Sequence, residues 1–178
     1  MNKIITQNYQ TPFGELILGS FHDRLCLCDW RYRKMRPAID KRILKALDAT
    51  YVEGDNVILQ DARSQLGEYF GSNRTVFDIP LKMIGSPFQV SVWKELLTIP
   101  FGETTTYLAL SKKLKGEKSV RAVAGANGAN AISIIIPCHR VTGSNGRLVG
   151  YAGGLEVKRK LLQMEGYTRM PGQMQLFN

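Results

Sequence analysis

The sequence predicts an α+β protein in two parts: residues 1–82 form a small α/β domain with an antiparallel sheet, and residues 83–178 form a mainly helical domain with a helix-turn-helix. Three observations carry that prediction. Short β-rich runs punctuated by turn residues fill the start of the chain, apolar residues recur at helical spacing after them, and positive charge gathers in the second half. Of the 178 residues, 44% are hydrophobic, enough to bury real cores.

Lys3 to Tyr9, Glu15 to Ser20 and Arg24 to Trp30 are the β-rich runs, separated by Thr11-Pro12-Phe13-Gly14 and Phe21-His22-Asp23, and together they predict a meander. Ile39, Ile43, Leu44 and Leu47 then recur at helical spacing after Pro37, as do Ala62, Leu66, Tyr69 and Phe70 before Gly71, predicting two helices on the sheet. Between them Asn56 to Gln60 is expected as strand or loop, and Thr75 to Leu81 as an extended lead into a boundary near Pro80 to Gly85.

The second half opens with Ser86-Pro87-Phe88-Gln89, where Ser86 can cap a helix and Pro87 suits its first position. Phe88, Val92, Trp93, Leu96 and Leu97 supply the apolar face of that helix, and Ile99-Pro100-Phe101-Gly102 stops it. A further helix is predicted from about Thr105 to Leu114 and another from Ser119. The joining Lys115-Gly116-Glu117-Lys118 makes the pair a helix-turn-helix with Arg121 near the start of its second helix. That second helix carries a small-residue face (Ala122, Ala124, Gly125, Ala126, Gly128, Ala129) that permits close approach by a partner. A last helix over about Leu155 to Glu165 turns Val157, Leu161 and Leu162 inward and Lys158-Arg159-Lys160 mostly outward, and residues 168–178 read as a tail.

The net charge of +9 is unevenly spread: residues 1–85 hold twelve Lys/Arg against ten Asp/Glu, and residues 86–178 twelve against five. A basic half of this size suits a phosphate backbone, although solubility alone also accounts for positive charge. No uncharged apolar run is long enough for a membrane span, and Met1 to Gln10 lacks the regions of a signal peptide, so a cytoplasmic, membrane-free protein is expected. Three cysteines suit a reducing compartment better than a disulfide framework. Cys26 and Cys28 share a strand face, but they lack metal-ligand spacing and a fourth partner, so with His22 they are expected to be core residues and no metal is assigned.

Chemistry concentrates in Ile134-Ile135-Ile136-Pro137-Cys138-His139-Arg140-Val141. Pro137 fixes its own φ and drives Ile136 to extended geometry, so Cys138 is held on a stiff backbone. A thiolate is the reactive form of cysteine, and His139 or Arg140 can supply the positive charge that favours it. An inert buried thiol is the alternative reading of Cys138 taken alone.

Pro137-Cys138-His139-Arg140-Val141 resembles the acceptor motif of the O6-alkylguanine-DNA alkyltransferases. The resemblance continues in order through Tyr107, Arg121-Ala122-Val123, Asn130, Tyr151-Ala152-Gly153-Gly154 and Glu165-Gly166, about half the chain. It implies a small ribonuclease-H-like first domain and a DNA-binding second one. It also implies a monomer without cofactor that binds double-stranded DNA containing alkylated guanine and transfers the alkyl group, irreversibly and once, to Cys138, with O4-alkylthymine as a further substrate.

The resemblance further implies site roles. His139 would act as base through a water, oriented by Glu165, and Tyr107 would donate toward the departing base. Asn130 would brace the active-site turn. Arg121 would fill the gap left by a flipped nucleotide, although by itself it fits a phosphate contact or a surface ion pair equally well. The helix carrying Ala126 and Gly128 would lie in the minor groove, while Val141, Tyr151, Ala152 and Gly153 would line the base pocket. The glycine-rich stretch Gly146 to Gly154 could equally be only a flexible connection. Ala152 stands where some relatives have serine, and Ala131 where many have proline. A cysteine hydrolase, or a lesion binder that removes nothing, are the rival classes. The absence of another suitable histidine weakens the first and the thiol itself weakens the second.

Overall fold

The computed structural model describes residues 1–114 and 119–168. The predicted turn Lys115-Gly116-Glu117-Lys118 and nearly all of the predicted tail lie outside the described residues. The chain forms two compact units, Met1–Ser86 with Ala131–Ile135, and Pro87–Asn130 with Ile136–Asn178.

In the first unit, β1 (Asn2–Thr11), β2 (Gly14–Phe21) and β3 (Arg24–Trp30) pair antiparallel, matching the predicted meander. The helix α1 (Arg36–Leu47) then leads to β4 (Ala49–Glu53), and α2 (Val57–Phe70) follows. The strand order is β3-β2-β1-β4, and β4 runs parallel to β1 with Ile4 opposite Tyr51. The sheet is therefore mixed, not antiparallel as expected: a helical crossover can return the chain in the same direction, which a tight hairpin cannot. Ile39 and Ile43, one helical turn apart, pack into a core with Ile4, Cys26 and Leu27.

Asn56 to Gln60 is neither strand nor loop. Asn56 is extended (φ −162°) and its side-chain oxygen accepts from Leu59 N at 3.0 Å, so it caps α2, and Val57–Gln60 form the first turn. Val57 in this stretch is an apolar residue that is 68% exposed. Thr75 to Leu81 is largely irregular, and its end lies along β3, with Leu25 N donating to Pro80 O at 2.8 Å and Lys82 N to Leu25 O at 2.8 Å.

Ala131–Ile135 joins this first unit beside β3. Cys28 N donates to Ala131 O at 2.9 Å and Ser133 N to Cys28 O at 2.6 Å. Ser133 Oγ donates to the fully buried Asp29, which Arg33 and Arg36 neutralise at 3.2 and 3.3 Å. Cys26 and Cys28 are core thiols; burial pushes Cys26 up to about 12.

The second unit contains α3 (Pro87–Leu96), β5 (Thr105–Thr106), α4 (Tyr107–Lys113), α5 (Val120–Gly128), β6 (Val141–Thr142) and α6 (Leu155–Met164). Thr106 caps α4 through Ala109 N, and Ser119 caps α5 through Ala122 N. Trp93, only 2% exposed, donates from Nε1 to Ala126 O at 2.8 Å and ties α3 to α5. Among the described residues no helix is long and apolar enough to cross a membrane.

Candidate active site

Backbone geometry fixes the acceptor segment before any side chain does. Ile134, buried at 1%, has φ +73°, a region that β-branched residues almost never occupy, and Ile135 N donates back to Ser133 O at 2.9 Å across it. The three isoleucines are buried as expected, but the run turns sharply instead of extending throughout. After Pro137, Cys138–Arg140 form one 3-10 turn, which passes directly into β6.

Parallel pairing of β6 with β5 sets Thr105 opposite Val141 and Thr106 opposite Thr142. Because Tyr107 follows β5 at once and Cys138-His139-Arg140 precede β6, this small sheet brings the start of α4 beside the acceptor turn. Asn130 Nδ2 donates to Ile136 O at 3.0 Å, closing the chain across its excursion through 131–135.

His139, Arg140 and Glu165 form one buried cluster. His139 Nε2 lies 2.7 Å from Glu165 Oε1, while Arg140 donates through Nε to Oε2 at 2.9 Å and through Nη2 to Oε1 at 3.0 Å. Arg140 Nη1 also holds Ile99 O at 2.7 Å. The arginine is thus committed to the glutamate. Burial opposes the Glu165 charge, but the charge and hydrogen bonds of its partners outweigh it and hold the carboxyl well below the usual carboxylate range. His139 and the bidentate Arg140 both contribute to holding it ionised. Gly102, at φ +78°, supports the same carboxylate: its N donates to Glu165 Oε2 at 3.4 Å, and a Cβ there would meet Glu165 O at 2.8 Å.

Burial drives the His139 pKa below its ordinary value, against the pull of Glu165. A carboxylate only accepts, so neutral His139 carries its proton on Nε2 and leaves a lone pair on Nδ1. That Nδ1 is buried with no hydrogen-bond partner among the described residues. The pH dependence follows from linkage. The unfolded imidazole takes up a proton below about 6.5 while the native one resists, so stability falls as pH drops from about 6.5 toward 5, above the ordinary carboxylate range. Urea midpoints measured across that interval should decline, and a flat profile from pH 7 to 5 would show the imidazole to be unperturbed.

Lys158 was expected to point outward with Arg159 and Lys160, but it is fully buried. It lies three and four residues before Leu161 and Leu162, hence on their face of α6, and that spacing was the available signal. Its Nζ donates to Val141 O at 2.6 Å, Val149 O at 2.9 Å and Gly150 O at 3.2 Å, using all three ammonium protons to join the acceptor segment to the glycine-rich stretch. Burial lowers it to about 8, with the neighbouring Cys138 sulfur pulling the other way.

Cys138 is 3% exposed and lies under α5, where Asn127 Nδ2 is 3.4 Å from its carbonyl oxygen. The same nitrogen is 3.3 Å from Tyr107 Oη. Asn127 was missed in a helix valued for its small residues. Tyr151 stacks edge-on near His139, with ring centroids 6.3 Å apart, and Ala152 and Gly153 beside it are half-buried. Arg121, second residue of α5, is exposed, as are Ala122, Gly125 and Gly128; a Cβ added at either glycine would meet nothing. Ala126 is on the inner face, 4% exposed.

A buried thiol residue followed by a neutral histidine whose far nitrogen is held by an ionised glutamate is an arrangement that can serve a cysteine nucleophile, and α5 above it exposes Arg121 among small residues. Residues 87–167 match the family described as 6-O-methylguanine DNA methyltransferase, DNA binding domain. A "Methylated-DNA–protein-cysteine methyltransferase" of Mycobacterium bovis is 43% identical over 141 residues, covering 76% of this chain and 85% of its own. One of Shigella flexneri is 38% identical over 174 residues, covering 94% and 98%. The crystal structure of Mycobacterium tuberculosis OGT in complex with DNA superimposes with a TM-score of 0.77 at 36% identity, covering 99% of both chains. The chain belongs to the methylated-DNA–protein-cysteine methyltransferase family.

Proposed function

We propose that this protein repairs double-stranded DNA by moving the alkyl group of O6-alkylguanine, and of O4-alkylthymine, to Cys138 in a single irreversible turnover. The observation that carries the reading is the Cys138-His139-Glu165 arrangement, with a free imidazole lone pair adjacent to the thiol residue and an ionised carboxylate behind it. The thiol proton passes through a water to His139 Nδ1, and Glu165 stabilises the resulting imidazolium. The sulfur attacks the alkyl carbon in line, the carbon–oxygen bond breaks, and its electron pair stays with the guanine. Tyr107 supplies a proton to the leaving base. No cofactor takes part in these steps.

Binding follows from α5. Its exposed face offers Arg121 with Ala122, Gly125 and Gly128, which permits close backbone approach in a minor groove, and Arg121 fills the space of a nucleotide swung toward Cys138. In this reading α4 and α5 act as a helix-turn-helix. Residues 83–178 are the DNA-binding and acceptor domain, and residues 1–82 a ribonuclease-H-like domain. For the latter, three antiparallel strands followed by a helix and a parallel edge strand give support. Asn130 braces the turn, Val141, Tyr151, Ala152 and Gly153 surround the base, and Ala126 seats the helix. The protein works as a monomer.

Incubation with a duplex carrying O6-methylguanine, followed by digestion, should place the methyl group on the peptide containing Cys138; methylation of another residue, or release of free methanol, would sink the proposal. Ala152 lacks the hydroxyl of a serine, which leaves room beside the base for larger alkyl groups. O6-butylguanine is therefore expected to react within about a hundredfold of O6-methylguanine, a difference below nearly 3 kcal/mol of barrier, in parallel single-turnover assays. A larger gap would contradict a roomy pocket.

A further inference from the structure

The amide of Asn127 has a place in the site that none of these roles uses. It lies near the end of α5, 6% exposed, with Nδ2 3.3 Å from Tyr107 Oη and 3.4 Å from the Cys138 carbonyl oxygen. Its Oδ1 is also buried and has no hydrogen-bond partner among the described residues. A backbone carbonyl can only accept, so the amide nitrogen and not the oxygen must face Cys138. The same nitrogen then donates to the phenol oxygen. A phenol that accepts such a bond can still donate its own hydrogen, and here Tyr107 Oη donates to Val149 O at the long distance of 3.5 Å.

We propose that Asn127 is a positioning residue for alkyl transfer: by donating to Tyr107 Oη it aims the phenolic proton at the departing base and stabilises the phenolate left behind. The inference rests on the transfer reading above. As the carbon–oxygen bond breaks, its electron pair remains on the guanine, the Tyr107 O–H bond breaks to protonate that guanine, and the negative charge arising on Oη is met by the Asn127 N–H. Solvent returns the proton to Tyr107 after the repaired base leaves. The local electrostatics make such help necessary. Burial and the nearby Cys138 sulfur push the Tyr107 phenol up to about 12, and the Asn127 hydrogen bond is the contribution that opposes them. The geometry also carries a cost, because holding the nitrogen toward Tyr107 leaves Oδ1 buried and unsatisfied. An amide retained for packing alone gives no reason for that cost.

The test is a double-mutant cycle on single-turnover methyl transfer, using wild type, Asn127→Leu, Tyr107→Phe and the double variant with an O6-methylguanine duplex. Asn127→Leu should slow transfer by about tenfold or more while its duplex Kd stays within about twofold of wild type. In the Tyr107→Phe background the same substitution should cause no further slowing. If Asn127→Leu reacts at the wild-type rate, or if the two effects multiply, the coupling does not exist. Should leucine unfold the chain, Asn127→Ala carries the same expectations. Failure of wild type to gain the methyl group would defeat the transfer reading itself, whereas wild-type transfer with independent effects would defeat only the role of Asn127.

Discussion

Replacing Cys138 by alanine is expected to abolish alkyl uptake completely while leaving duplex binding within about twofold of wild type. Cys138 is 3% exposed and lies below α5, whereas the groups proposed to hold DNA, Arg121 and the open positions Ala122, Gly125 and Gly128, lie on the outer face of that helix. Removing one small buried sulfur should cost about 1 kcal/mol of stability, too little to unfold the domain. Binding then persists through phosphate contacts that do not involve the thiol. Gel shift and intact mass on the same sample separate the two effects. Residual alkylation of Cys138→Ala would place the acceptor elsewhere, and loss of binding would give the sulfur a structural role that its position does not suggest.

The second large effect concerns Arg140. It makes two hydrogen bonds to Glu165 and one to Ile99 O, all buried. Arg140→Met removes the permanent cation and leaves an ionised carboxylate in the interior with the N–H of neutral His139 and the Gly102 amide to meet it. Breaking a buried pair from one side costs about 3–5 kcal/mol. For a chain of this size that lowers Tm by roughly 6–20 °C. Transfer should slow as well, because a glutamate pushed toward its neutral form no longer stabilises the imidazolium. A variant that melts within about 2 °C of wild type and transfers at its rate would show that Glu165 does not need the arginine.

Much of this was legible in the chain, for identifiable reasons. The three opening strands carry turn residues at their ends, and the helices carry apolar residues at three- and four-residue spacing, so local chemistry fixed both. The parallel direction of β4 was not legible, because it depends on how α1 recrosses the sheet. Asn56 to Gln60 was expected as strand or loop, and the helix was missed because the Asn56 side chain that caps α2 was not weighed. The positive φ of the buried Ile134 leaves no mark on an Ile-Ile-Ile run.

The candidate site divides in the same way. The order Cys138, His139, Arg140 and distant Glu165 announced a thiol with a histidine, and the sequence offered Arg140 or His139 as the positive charge near the sulfur, while the fold pairs Arg140 with the carboxylate. Lys158 was read as one of three outward cations, and the structure places it inside, on the face that its spacing from Leu161 and Leu162 shares. Asn127 sat among small residues with nothing to mark it, because its partners, Tyr107 and the Cys138 carbonyl, are twenty residues before it and eleven after it.

The most direct test of a self-consuming sulfur is the intact mass of the wild-type protein after mixing with an excess of O6-methylguanine duplex. The expected spectrum shows every active molecule heavier by one methyl group in place of one proton, with repaired guanine formed in equal amount and no further reaction on prolonged incubation. An unchanged protein mass alongside repaired DNA, or more than one repaired base per protein, would contradict it.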